Sequence, residues 1–262
     1  IVEANINNYK LIHELISNSD ICLNLVGILF EKGKNTFNKI HSIFPEQISK
    51  ICNELNKDLI HISALALKDA KDSNYAISKI QGEKKIRENF SNATIIKPSI
   101  VYSVDDNFTT RFMSLIQHIP FFPMYYNGKT KFSPVHVTDV AELICHVITK
   151  KIKGKDIEVI GPEVLSFKQI INKIIKSINK KRILIPLPLF IAKLSASIFQ
   201  IFPNPIITRD QLNLLKYDNI KSENGLTNFD LGCPSKIFFE DGINQYSYNW
   251  REGGKFSVKE NN

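Results

Sequence analysis

Apolar positions in this chain alternate between short unbroken runs and stretches spaced three and four residues apart, the patterns of buried strands and amphipathic helices. The run ICLNLVGI (residues 21–28) reads as a strand buried on both faces and ending at Gly27. From Phe37 onward Ile40, Phe44, Ile48, Ile51 and Leu55 keep helical spacing, and Pro45 must kink that helix or mark its real start. Residues 59–63 predict the next strand, residues 75–90 the next helix with Ser73 or Asn74 as its N-cap, and residues 93–101 a strand broken at Pro98. Residues 130–151 predict a strand-like opening and then a helix capped by Thr138 or Asp139, with a further strand over 156–160. Phe167, Ile170, Ile171, Ile174, Ile175 and Ile178 outline an amphipathic helix. Strand and helix in alternation predict an α/β chain with a doubly wound parallel sheet. The expected division is a sheet domain over 1–150, a smaller, mostly helical substrate or docking region over 151–250, and a disordered tail over 251–262.

Ligands of such sheets bind beyond the carboxyl ends of the strands, where Gly27, Ser63 and Pro98 fall. Just past Ser63, Tyr75 and Lys79 stand four apart and so share a helix face. A phenol beside an ammonium is expected to titrate below its usual value of about 10, which suits proton exchange with a carbonyl next to a nicotinamide. Tyr-x-x-x-Lys also occurs at Tyr125/Lys129 and Tyr217/Lys221. The first of these sits in a Pro123 and Asn127-Gly128 turn, and neither follows a strand ending in serine.

Composition changes the picture only in places. With 262 residues and 43% hydrophobic content the chain can bury a substantial core. Its net charge of +8 is mostly dispersed lysine, and the densest basic stretch, 150–182, fits a solvated helix face or contact with an anionic surface. That stretch lacks interleaved aromatics, so no nucleic-acid partner is expected. Cys22, Cys52, Cys145 and Cys233 are scattered and read as small core residues in a reducing compartment; no spacing calls for a metal site. The segment 183–207 is nearly all apolar, yet the part between Pro188 and Pro203 is too short to span a bilayer. Its narrow polar stripe of Lys193, Ser197 and Gln200 suits burial in a protein groove or lying in a membrane interface. The first glycine is Gly27 and no G-x-G-x-x-G occurs, so a dinucleotide-binding domain here would lack its first βαβ portion, roughly thirty residues.

Ser63, Tyr75 and Lys79, with LVGI (25–28), KPSIVY (97–102) and VTDVAE (137–142), resemble the extended, atypical short-chain dehydrogenase/reductase family over nearly the whole chain. The segments NLVGILFEKGKNTF, PLPLF (186–190) and PNPIITRDQLNLLKYDN (203–219) are most similar to its branch of nicotinamide-nucleotide-binding accessory subunits of respiratory complex I. The resemblance implies a Rossmann-like fold and bound NAD(P)H, without deciding between NADH and NADPH. It implies Ser63, Tyr75 and Lys79 as the catalytic trio, and Asn5, Leu25, Val26, Gly27, Tyr75, Lys79, Pro98, Ser99 and Ile100 as cofactor contacts. It further implies complex I subunits as partners, a peripheral place on the cytoplasmic or mitochondrial-matrix side of the inner membrane, and membrane contact through 183–207. Two readings follow: a subunit that holds its cofactor structurally, or an active reductase, epimerase or dehydratase using the same trio.

Overall fold

The computed structural model describes residues 1–188, 190–194 and 207–257. At its centre β1 (Ile21–Asn24), β2 (Asp58–Ile62), β3 (Thr94–Pro98) and β8 (Asp156–Val159) form a four-stranded parallel sheet in that order. Outside it, β4 (Val101–Tyr102) pairs with β7 (Val135–His136) and β5 (Phe121–Met124) with β10 (Ile183–Pro186), both parallel. The last pair, β6 (Lys131–Phe132) and β9 (Leu165–Ser166), is antiparallel. Side chains alternate across the sheet. Leu59 and Ile95 pack under α1 (Tyr9–Ser17), α2 (Phe44–Glu54) and α3 (Asn74–Asn89), which bury Ile16, Ile48, Ile51 and Ile86. Ile60 and Ile96 face the other way, against Val140, Leu143 and Val147 of α5 (Val137–Thr149). The expected doubly wound parallel sheet is therefore present.

Local chemistry sets several boundaries differently from the hydrophobic pattern. β1 stops at Asn24, whose Oδ1 accepts from the Val26 N–H at 3.1 Å while its amide nitrogen lies 2.9 Å from His61 Nδ1. Those bonds turn the chain out of the sheet, and Leu25 and Val26 become exposed. The helix expected from Phe37 is a π-helical turn over Asn38–Ile43 running into α2. Pro45 sits in the first turn of α2, where a missing N–H leaves no helical bond unmade. α3 is capped by Ser73, whose Oγ accepts from the Ala76 N–H at 3.2 Å. α5 is capped by neither Thr138 nor Asp139 but by His136, whose Nδ1 accepts from the Thr138 N–H at 3.3 Å. Asp139 is drawn instead to the N–H groups of Lys236 and Ile237, both at 3.2 Å.

A second core joins α4 (Thr109–His118), α6 (Phe167–Ser177) and the short helix Phe239–Asn244 around Met113, Phe122, Ile171 and Trp250. Ser166 and Gln169 close the start of α6 as a reciprocal capping box. The two cores interleave along the chain. β8 completes the sheet, whereas α4 packs into the second core. The expected tail is held as far as Ser257: Arg251 Nε donates to the Ser177 carbonyl at 2.8 Å, and the Phe256 and Trp250 rings lie 4.9 Å apart. Cys145 is exposed rather than buried, and the fold brings the Cys22 thiol of β1 to that of Cys52 on α2. The apolar helix expected between Leu189 and Phe202 falls on residues of which only 190–194 are described.

Candidate functional site

Sheet bonding runs on past the ends of β2 and β3. Ser63 N–H donates to Ile96 O at 2.8 Å, Leu65 N–H to Pro98 O at 2.9 Å and Ser99 N–H to Val159 O at 2.9 Å. This sets Ser63 and Ser99 side by side at the carboxyl ends of the strands, with α3 alongside. Ser63, Tyr75, Pro98, Ser99 and Ile100 share the wall of one cavity of about 880 Å³. Gly27 lies on the polar flank of this region: a methyl there would stand 3.6 Å from Lys79 Nζ and 3.8 Å from His41 Nε2. Leu25 and Val26 face outward. Asn5 is apart, its Oδ1 accepting from the Asn7 N–H at 3.0 Å in an exposed turn ahead of α1.

The electrostatics of the trio depart from expectation. The Tyr75 phenol is not lowered but pushed up to about 12, first by burial and then by the charge of Asp210. The Lys79 ammonium is buried and donates to the Ile62 carbonyl at 3.1 Å, so it serves the end of β2; burial pulls it down to about 8. Asp210, on the helix Arg209–Leu214, sits at the start of α3 and accepts from the Asn74 N–H at 2.6 Å, the Tyr75 N–H at 3.2 Å and Ser73 Oγ–H at 2.8 Å. A carboxylate there stabilises the positive end of the helix and opposes a phenolate one residue inside it. The Ser63 hydroxyl donates to Glu83, whose other oxygen is 2.7 Å from Lys97 Nζ. Lys97 in turn lies 2.8 Å from Asp156.

Five residues outside the expected set complete the site. Glu83 follows Lys79 by one helical turn, so its place on the same face is legible from spacing. His41 Nε2 accepts from the Ile28 N–H at 3.1 Å, so the ring hydrogen is on Nδ1 and is given to Ser78 Oγ at 3.0 Å. His61 Nδ1 takes the Asn24 amide hydrogen, which puts the ring hydrogen on Nε2, buried and without a partner among the described residues. Burial, reinforced by the charge of Lys79, pushes both imidazoles down to about 3. Asn219 accepts from Ser99 Oγ–H at 2.7 Å and donates to Leu65 O at 2.9 Å, pinning the two strand ends together. Asp210 is the fifth. Gly82 lets this assembly close, because a methyl on it would stand 1.9 Å from the His41 carbonyl oxygen.

Residues 30–182 match the protein family described as the RmlD substrate binding domain. The chain belongs to this family. The match places it among the extended short-chain dehydrogenases/reductases. This RmlD-family chain is 29% identical, over 98% of its length and 72% of the relative's, to NADH dehydrogenase (ubiquinone) 1 alpha subcomplex subunit 9, mitochondrial, of Dictyostelium discoideum. The protein of the same name from Arabidopsis thaliana is 26% identical over 86% of this chain, which spans 60% of that relative. In fold, the chain is similar to the dTDP-glucose 4,6-dehydratase DesIV from Streptomyces venezuelae, solved with NAD and TYD bound. The TM-score is 0.69 at 14% identity, covering 96% of this chain and 79% of that one.

Proposed function

We propose that this chain is an NAD(P)H-binding accessory and assembly subunit of NADH:ubiquinone oxidoreductase in which the dinucleotide is held structurally. Asp210 carries the reading. It belongs to the 203–219 segment that resembles the accessory branch, and its carboxylate both completes α3 and helps hold the phenol at about 12. At pH 7 only about one phenol in 10⁵ would be ionised, far from the match to operating pH that efficient proton transfer needs. Similarity to the alpha subcomplex subunit 9 proteins supports the same reading.

The residues present fit the nicotinamide end of a dinucleotide. Lys79 spends one of three donors on Ile62 O, the His61 Nε2–H is an unused buried donor nearby, and Gly27 leaves the approach to Lys79 open. Lys79 would hold ribose hydroxyls, with Pro98, Ser99 and Ile100 walling the ring. When bound, the cofactor supplies a hydride donor or acceptor. Among the described residues no helix is long and apolar enough to cross a membrane. Exposed Ile183, Ile185, Phe190 and Leu194 support peripheral docking through 183–207 on the matrix or cytoplasmic face of the inner membrane.

The test is purification of the tagged full-length protein from its own membranes. Complex I subunits and extractable NAD(P)H are expected with it; a lone protein in the soluble fraction refutes the assignment. A second reading, an active reductase, epimerase or dehydratase, is favoured by Ser63 and Tyr75 sharing one large cavity. It requires that some carbonyl substrate be turned over with NAD(P)H and that Tyr75→Phe abolish this turnover.

A further inference from the structure

The cavity is much larger than the trio needs, and its two ends differ in kind. Ser63 and Tyr75 mark the end at the strands, while the rest is walled by Phe108, Phe112, Leu115, Phe122, Phe132 and Phe167. At about 880 Å³ it lies within the range that encloses a whole small molecule. Most of its polar groups are already committed inside the fold. Asp106 accepts from the N–H groups of Ser103, Phe108 and Thr110, Asp218 from the Lys131 N–H, Gln211 closes its own helix start and Asn219 ties Ser99 to Leu65. A sugar nucleotide carries hydroxyls and a diphosphate along its length, and such a wall gives these few partners. We propose that the cavity binds one molecule with a long aliphatic tail, its carbonyl or hydroxyl head beside Ser63 and Tyr75 and its tail among the rings of α4, β5 and Phe167.

This site stands whether or not the cofactor is held structurally, and its test separates the two. The probes are 2-alkanones from six to fourteen carbons, titrated calorimetrically into the purified full-length protein, with UDP and UDP-glucose as polar controls. Affinity is expected to rise about four-fold per methylene, at one molecule per chain, and to level off once the cavity is full. Leu115→Trp, which fills the tail end, should weaken the longest ketone at least ten-fold and spare NADPH binding measured in the same preparation; Leu115→Phe serves if the larger ring prevents folding. A flat series, multiple binding, insensitivity to both variants, or preference for UDP-glucose overturns the proposal. Ketone binding without NAD(P)H binding would defeat the cofactor reading alone.

Discussion

Around β1, β2 and α3 the molecule buries two imidazoles and an ammonium, whereas the half built on α4 and α6 buries Phe122, Phe167, Phe239 and Trp250, with Thr109, Gln117 and Ser177 as neutral polar company. In the first half both imidazoles and the ammonium are held by named partners, and geometry is tight enough that one methyl at position 82 would strike a carbonyl. In the second half apolar walls meet across open volume. The contrast teaches where precision and capacity reside: hydrogen bonds fix the strand ends, and rings enclose space without directing what enters it.

Acid should break the contrast most strongly. His41 and His61 ordinarily titrate near 6.5 but are held at about 3 in the fold. Below pH 6.5 the unfolded chain takes up protons that the folded chain refuses, so stability falls as pH drops from 6.5 toward 3, by up to about 1.4 kcal/mol per pH unit for each imidazole. Carboxylates held below their ordinary range, such as Glu240, add to the loss only at lower pH. Urea midpoints from circular dichroism should therefore decline between pH 6.5 and 5, and backbone loss should precede the change in fluorescence of Trp250, the single tryptophan, which sits in the other core. A midpoint constant from pH 7 to 5 would show that the imidazoles are not held neutral. Next in size is Gly82→Ala, expected to cost about 2–3 kcal/mol because α3 must back away from the His41 carbonyl; equal stability by urea denaturation would remove the close approach. Asp210→Ala should cost about 1–2 kcal/mol as a lost cap and bring the Tyr75 phenol back toward 10. Ultraviolet titration at high pH, compared with the same variant carrying Tyr75→Phe, reads that shift, and no change would detach the phenol from Asp210.

What was legible in the chain follows from the range of the interactions involved. Period alone reveals β2 and α6, and for α3 the Ser73 cap is legible too, since Ser73 to Ala76 is a separation of three residues. Even Glu83 could have been found by its spacing from Lys79. The direction of the Tyr75 shift could not, because it depends on burial and on a carboxylate 135 residues away. Asn219 reaches Leu65 across 154 residues. β1 ends short of its apolar run for a related reason: Leu25 and Val26 are apolar enough for a strand, but Asn24 bonds to His61, and that partner lies 37 residues downstream.

The cap that Asp210 places on α3 also orders events during synthesis. A ribosome that has just made Asn74 must add 136 more residues before the acceptor for its N–H exists. At about 5–20 residues per second that is roughly 7–27 seconds. Throughout this interval the nascent Tyr75 helix has only Ser73 at its start, and the strand ends wait for Asn219. A chain interrupted before residue 210 would therefore contain the Ser63, Tyr75 and Lys79 trio in order and still lack the carboxylate at the start of α3 and the amide that joins the two strand ends.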